Sequence, residues 1–323
     1  MNLDVAVIIA AKDAEKTVGM AVASALAEPQ VGEVIVVDDA SSDDTAGACQ
    51  SAGQGDPRLR VLRQPVNVGP AAARNRAISE SRAPILSILD ADDAVRPGRF
   101  STLLSMADWD LAADNIVFLP EARFDPVGDW VSSGTTTVLD LAAFVAGNLS
   151  RRGRQRGELG FLKPLIRRDF LERHNLRYDE SLRLGEDYDL YVRALLAGAR
   201  FRLSHRVGYC ARERANSLSG RHSTGDLARL RAATASHLRM VDRSDQALAP
   251  LRRQFRDINR RHLLRACLDA KADGGLSAAL RFALTPPRNF APIARGVIAD
   301  KIAAWGGSQP EDQGPRILLS PSG

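Results

Sequence analysis

Short, unbroken apolar runs alternate with amphipathic, alanine-rich stretches through the first half of the chain. Residues 5–10 (VAVIIA) make the first run, of the kind that forms a strand buried on both faces. Residues 14–27 read as a helix, with Val18, Val22, Ala25 and Leu26 near one face. A second strand falls at 33–37 (EVIVV), a polar run covers 38–44, and a helix starts near Thr45. A third strand at 59–63, a helix at 70–81 and a fourth strand at 84–89 (PILSIL) complete the series. Strand and helix in turn at this spacing predict βαβ units and a largely parallel sheet.

The middle of the chain is less regular. A strand lies within 110–119, a polar, turn-rich stretch at 132–137 and a basic loop, RRGRQR, at 151–156. A short candidate strand follows at 160–166 and a helix at 185–197. From about Gly225 the pattern is helical and strongly basic. Leu248, Leu251, Phe255 and Ile258 recur at steps of three and four, while Arg252, Arg253, Arg256, Arg260 and Arg261 fill other faces. Pro286 and Pro287 interrupt a second such region, and the tail beyond Trp305 (GGSQPEDQGPR) reads as disordered.

With 323 residues, 45% hydrophobic and 26% charged, the chain has the make-up of a soluble globular protein. No apolar run approaches the ~20 residues that span a bilayer. Asp4 precedes the first apolar run and no basic segment leads it, so the start does not read as a secretory signal. The expectation is a cytoplasmic protein. Cys49, Cys210 and Cys267 form no CxxC pair, which fits a reducing compartment and speaks against structural zinc. The net charge of +5 rests on arginine, since lysine stands only at 12, 16, 163, 271 and 301. Positive charge favours an anionic partner, whether nucleotide, nucleic acid or lipid headgroup. Genome base composition is the alternative explanation for the enrichment in arginine and alanine.

In open parallel sheets, ligands bind beyond the carboxyl ends of the strands. No GxGxxG and no GxxxxGK[ST] stands there, which argues against a dinucleotide fold or a P-loop. Carboxylates do: the second strand ends in Asp38-Asp39 and the fourth in Asp90-Ala91-Asp92-Asp93. Three acids in four residues repel one another unless a cation neutralises them, and Mg²⁺ or Mn²⁺ prefers oxygen ligands. Taken alone, the 38–44 run serves equally as a loop whose Ser41, Ser42 or Asp43 caps the next helix. NVGPAAARN at 67–75 is a turn opening into a helix, with Pro70 suited to its first turn. Its free N–H groups are placed for a phosphate or nucleobase carbonyl, with Arg74 as cationic partner; the alternative is a plain turn with Arg74 at the surface. In GEDYDL at 185–190, Leu184, Tyr188, Tyr191 and Leu195 share an apolar face and leave Glu186 and Asp187 directed away from it. Acids at a helix start complement the macrodipole, and a carboxylate there is also placed to act as a general base.

Taken in order, VAVIIAAKDAEKTV, VIVVDDASSDDT, NVGPAAARNRA, LDADD and GEDYDL resemble the motifs of family 2 glycosyltransferases of the GT-A fold, over residues 4–200. Within that family the chain looks most like bacterial succinoglycan-type exopolysaccharide glucosyltransferases. The resemblance implies an α/β architecture, a Rossmann-like, mostly parallel sheet flanked by helices, with a helical extension. It divides the chain into a nucleotide-sugar half (1–120), an acceptor-binding and catalytic half (121–224), a basic helical extension (225–305) and a tail (306–323). By the same resemblance Asp39 hydrogen-bonds uracil and Arg74 lies close to that base. Asp90 meets the ribose, Asp92 the diphosphate-bound Mg²⁺ or Mn²⁺ with Asp93 beside it, Asp187 is the general base and Glu186 orients the site. The family's proline and aromatic after strand one are here Ala10 and Lys12, with Asp13 at the asparagine position. Ala10, Asp13 and Ala91 complete the donor-site positions.

The reaction so implied is an inverting transfer of a sugar, glucose from UDP-glucose, to an oligosaccharide carried on a polyprenyl diphosphate. His222 is a candidate diphosphate contact or an exposed loop residue. Trp109 and Trp130 either stack on an acceptor sugar or pack. The basic helices either lie on an anionic membrane surface or form a plain cap. The rival within enzymes is sugar transfer to a polyprenyl phosphate. The rival of another class is a non-catalytic, basic nucleic-acid- or membrane-binding protein, which leaves the acidic strand ends unexplained because they repel polyanions; no nucleic-acid partner is expected.

Overall fold

The computed structural model describes residues 5–130, 133–149, 158–213, 222–305 and 314–319. The chain forms two compact units, Met1–Ala215 with Gly314–Gly323, and Asn216–Gln313.

The first unit is built on one mixed sheet. Its strands are β1 (Val5–Ala11), β2 (Val31–Asp38), β3 (Leu59–Arg63), β4 (Ile85–Ile88), β5 (Ala94–Val95), β6 (Leu111–Pro120), β7 (Thr136–Val138), β8 (Leu165–Arg167), β9 (Phe201–Glu213) and β10 (Arg316–Ile317). The order is β3-β2-β1-β4-β8-β6-β9-β5, with β10 on β6 and β7 on β9. The pairings β3-β2-β1-β4 are parallel, as the βαβ pattern requires. They are linked by α1 (Val18–Leu26), α2 (Thr45–Gly53) and α3 (Pro70–Glu80). Val7, Ile8, Ile35 and Val36 are fully buried, so the unbroken apolar runs do mark strands covered on both faces. Register puts Ala11 of β1 beside Asp38 of β2, and Leu89 continues β4 by donating to the Ile8 carbonyl. The acidic ends of β2 and β4 therefore meet at one edge of the sheet.

Three expectations shift. α1 begins at Val18, not at 14. The Asp13 N–H donates to Ser41 Oγ at 2.9 Å and the Ala14 N–H to Thr45 Oγ1 at 2.8 Å, so this turn is tied to the β2–α2 loop before it can wind. The strand expected at 160–166 shrinks to β8, behind a 3-10 turn at Leu159–Phe161, because Pro164 has no N–H to give a ladder. β8 runs antiparallel between β4 and β6 and ends the parallel run. Finally, 314–319 is ordered: β10 pairs with β6, and Leu319 N–H donates to Asn115 Oδ1 at 2.9 Å. The rest of the tail, 306–313 and 320–323, and the basic loop 151–156 lie outside the described residues.

The remaining helices of this unit are α4 (Arg99–Leu104), α5 (Leu141–Gly147), α6 (Arg168–Arg173) and α7 (Glu186–Leu196). The second half of the unit shares the sheet with the first through β8 beside β4. The second unit holds α8 (Thr224–Met240), α9 (Leu248–Leu284) and α10 (Phe290–Trp305). Ser223 and Asp226 cap α8 reciprocally. Leu251 and Ile258 are buried, as their spacing predicts, and α9 breaks at Gly274 and Gly275.

Candidate active site

Five charged side chains from four separate segments converge beyond the end of β4. Arg74 projects from the second turn of α3, whose cap is Gly69 at φ 90°. Its Nη2 lies 2.8 Å from Asp90 Oδ1, and its Nη1 lies 2.8 Å from Glu186 Oε1 and 3.3 Å from Asp187 Oδ1. Lys163, two residues before β8, places Nζ 2.8 Å from Asp90 Oδ2 and 2.7 Å from Asp187 Oδ2. Three carboxylates thus surround two cations. Glu186 and Asp187 reach this point because α7 starts at Gly185, which sits at φ 73° where a side chain is strained.

Burial makes these pairs strong and costly to break. Burial alone raises the Asp90 carboxyl, but Lys163 and Arg74 overcome it and hold Asp90 well below the usual carboxylate range. Burial opposes the charge on Lys163, and Asp187 and Asp90 outweigh it, so the ammonium stays charged above its ordinary value. Tyr178 donates its O–H to Asp187 Oδ1 at 3.0 Å, and burial followed by the Asp187 charge raises that phenol well above its usual range. The main chain beside Lys163 is fixed from two sides. Tyr191 donates to the Leu162 carbonyl at 3.0 Å, and Arg99, itself paired to Asp114 through two nitrogens, donates to the Lys163 carbonyl.

The carboxylates at the strand ends do separate things. Asp39 is buried, and its two oxygens accept the Val68 and Gly69 N–H groups at 2.8 Å each, clamping the 67–69 turn to β2. Each oxygen keeps a second lone pair for a further donor. Asp38 accepts the Ser41 N–H at 2.9 Å. Beside them Ala40, Ser41, Arg63, Gln64 and Pro65 line a depression of about 520 Å³. Asp13 accepts both the N–H and the O–H of Ser42, which hold its carboxyl below the usual range. Ala10 and Ala91 are half-buried at the ends of β1 and β4.

Asp93 turns inward. It accepts the Tyr209 O–H at 2.7 Å and the Arg212 N–H at 2.8 Å, and Tyr209 in turn accepts the Asp90 N–H at 3.1 Å. Burial, then the charges of Asp90 and Asp92, push the Asp93 carboxyl well above its usual range. Asp92, in the same turn, is half-exposed. An oxygen-only donor set with surplus negative charge fits Mg²⁺ or Mn²⁺. Among the described residues no three His, Cys, Asp or Glu side chains come together as a group that could hold a metal ion.

Set against the sequence reading, the structure brings Arg74, Asp90, Glu186 and Asp187 together. Asp187 is buried among donors instead of pointing to solvent, because Lys163, Tyr178 and Arg74 compensate it. Arg74 is nearly buried, with two of its nitrogens committed to carboxylates. Lys163, Tyr178 and Tyr209 were not foreseen. The one available signal was Lys163 as a rare lysine in an arginine-rich chain. Trp109 is a core residue, 1% exposed, donating to the Met106 carbonyl with Arg167 over its ring. Trp130 packs against the Val117, Leu119, Val207 and Cys210 cluster. His222 belongs to the second unit, half-buried just before the Ser223 cap.

Residues 6–170 match the family described as Glycosyl transferase family 2. The chain belongs to glycosyl transferase family 2. It is 50% identical over 300 residues to the succinoglycan biosynthesis protein ExoU of Rhizobium meliloti (strain 1021), covering 92% of this chain and 88% of that one. Its fold is that of S. aureus TarS residues 1–349, solved with UDP-GlcNAc, at TM-score 0.56 and 18% identity, over 85% of this chain and 75% of that one. It is equally like the mannosyltransferase PcManGT from Pyrobaculum calidifontis, solved with GDP-Man and Mn²⁺, at TM-score 0.55 and 19% identity, over 94% and 88%. The chain is thus a family 2 glycosyltransferase with the GT-A architecture, a mixed, mostly parallel sheet flanked by helices.

Proposed function

We propose that this glycosyltransferase moves glucose from UDP-glucose, with inversion and with a divalent cation, to an exopolysaccharide intermediate of the succinoglycan type carried on a polyprenyl diphosphate. The observation that carries the reading is the convergence of Asp90, Glu186 and Asp187 on Arg74 and Lys163 at the carboxyl edge of the sheet. The likeness to ExoU over most of both chains supports the exopolysaccharide assignment.

Each group then has a task. Asp39 and the depression beside Ala40 receive the uracil, with Ala10 and Asp13 as further donor-site positions. Asp90 meets the ribose, Ala91 lets the chain approach the donor, and Asp92 holds the cation. Asp93, whose oxygens accept from Tyr209 and Arg212, braces the turn, and its remaining lone pairs would serve the cation beside Asp92. A bound cation offsets the charge that develops on the departing diphosphate. Asp187 takes the proton from the acceptor hydroxyl as that oxygen attacks the anomeric carbon opposite the leaving group. Arg74 and Lys163 hold Asp187 in place through their ion pairs, and Glu186 fixes the Arg74 end of the cluster.

An assay with UDP-glucose and two acceptors tests this. Transfer to an oligosaccharide on polyprenyl diphosphate is the expected result. Transfer only to bare polyprenyl phosphate replaces the proposal with its rival, and transfer from another sugar nucleotide alone removes glucose from it.

A further inference from the structure

The far end of the second unit carries its apolar residues on the wrong side. Beyond the break at Gly274 and Gly275, α9 buries Ala279 and Ala283, while Leu276, Leu280 and Leu284 are 69%, 59% and 54% exposed. A helix that serves only to pack puts its large side chains inward and its small or polar ones outward. The next helix repeats the pattern. Ile293 joins Leu263 and Ala283 in a small core, while Phe290, Val297 and Ile298 are 54%, 40% and 57% exposed. Six large hydrophobics within 23 residues (276–298) are thus left exposed to water, which does not favour them.

The charges within this segment are all of one sign. Residues 276–298 contain Arg281, Arg288 and Arg295 and no aspartate or glutamate. Arg281 and Arg295 are exposed. Apolar residues exposed beside arginines are the make-up of a helix lying in a bilayer interface, with leucines among the acyl chains and arginines at anionic headgroups. The segment of α9 past the break is nine residues, about 14 Å long, far short of a span. Among the described residues no helix is long and apolar enough to cross a membrane. A symmetric contact with a second copy would set these arginines against each other with no acid of the segment between them.

We infer that residues 276–298 dock on an anionic phospholipid surface, with Leu276, Leu280, Leu284 and Phe290 entering the headgroup–acyl boundary. This docking is independent of the transfer chemistry, so it stands or falls without the proposed donor and acceptor. The test is co-sedimentation of the full-length protein with vesicles of phosphatidylcholine alone and of phosphatidylcholine with phosphatidylglycerol. The protein is expected to sediment with the anionic vesicles. Leu276→Ser/Leu280→Ser/Leu284→Ser, all at exposed positions, is expected to lower the partition coefficient at least tenfold with an unchanged circular dichroism spectrum. Arg281→Gln/Arg295→Gln is expected to weaken binding roughly fivefold per arginine. No sedimentation of the wild-type protein with anionic vesicles overturns the inference, as does undiminished binding by the triple serine variant. A wild-type dimer in solution that the triple serine variant dissociates would assign this face to a second copy instead.

Discussion

Asp187 is surrounded by donors: Lys163 Nζ at 2.7 Å, the Tyr178 hydroxyl at 3.0 Å and Arg74 Nη1 at 3.3 Å. That environment fixes the carboxylate before any acceptor arrives, and its role is separable from donor binding. Asp187→Asn is expected to bind UDP as the wild type does and to lose transfer by ~10²–10⁴-fold; full activity would remove Asp187 as the base. Lys163 is the second residue to test. Lys163→Met leaves Asp90 and Asp187 with one cation between them, and is expected to lower the unfolding free energy by ~3–5 kcal/mol at pH 7, as for other broken buried pairs. Lys163→Arg should recover part of it. The depressed Asp90 carboxyl contributes stability that is full above its unfolded value, about pH 4, and is lost as pH falls through its lower folded value. Urea denaturation should therefore show the Met variant's deficit shrinking in acid; a deficit equal at both ends of the range contradicts the ion-pair account. The acids of this cluster were legible because they stand at a strand end and a helix start. Lys163 was not, since a single lysine in an irregular segment carries no period.

At the scale of elements, the parallel strands were readable because burial on both faces leaves unbroken apolar runs. β9 was not. Its thirteen residues alternate core positions such as Phe201, Leu203 and Tyr209 with Arg202, His205 and Arg206, and Gly208 interrupts the pattern. The glycine has a physical cause. A Cβ there would lie 1.8 Å from Asp114 Oδ2 and 3.0 Å from Arg99 Cγ, inside the buried pair that also holds the Lys163 carbonyl. Gly208→Ala is thus expected to displace that pair and destabilise the fold by ~3 kcal/mol or more, read by chemical denaturation. A loss under about 1 kcal/mol would mean that β9 shifts without disturbing Arg99 and Asp114.

Across the whole molecule, the site exists only when distant segments close on one another: α3, the end of β4, the residue before Pro164 and the start of α7. Sequence order alone gives the acids at two strand ends; it does not show that residues 163 and 187 meet, because β8 enters the sheet antiparallel after a long excursion. Within the tail, residues 314–319 depart from the expected disorder. A two-residue strand, Arg316–Ile317, has too little pattern to be seen in a Gly- and Pro-rich stretch, yet β6 offers it a partner. The central claim is that these parts assemble a cation-dependent nucleotide-diphosphate site with Asp92 as its metal anchor. Calorimetric titration of UDP into the wild-type protein and Asp92→Ala, with Mn²⁺ and again with EDTA, tests it most directly. The account predicts saturable UDP binding by the wild-type protein with Mn²⁺, much weaker binding with EDTA, and no gain from Mn²⁺ in Asp92→Ala. Binding that ignores the metal, or a Mn²⁺ gain that survives in Asp92→Ala, would contradict it.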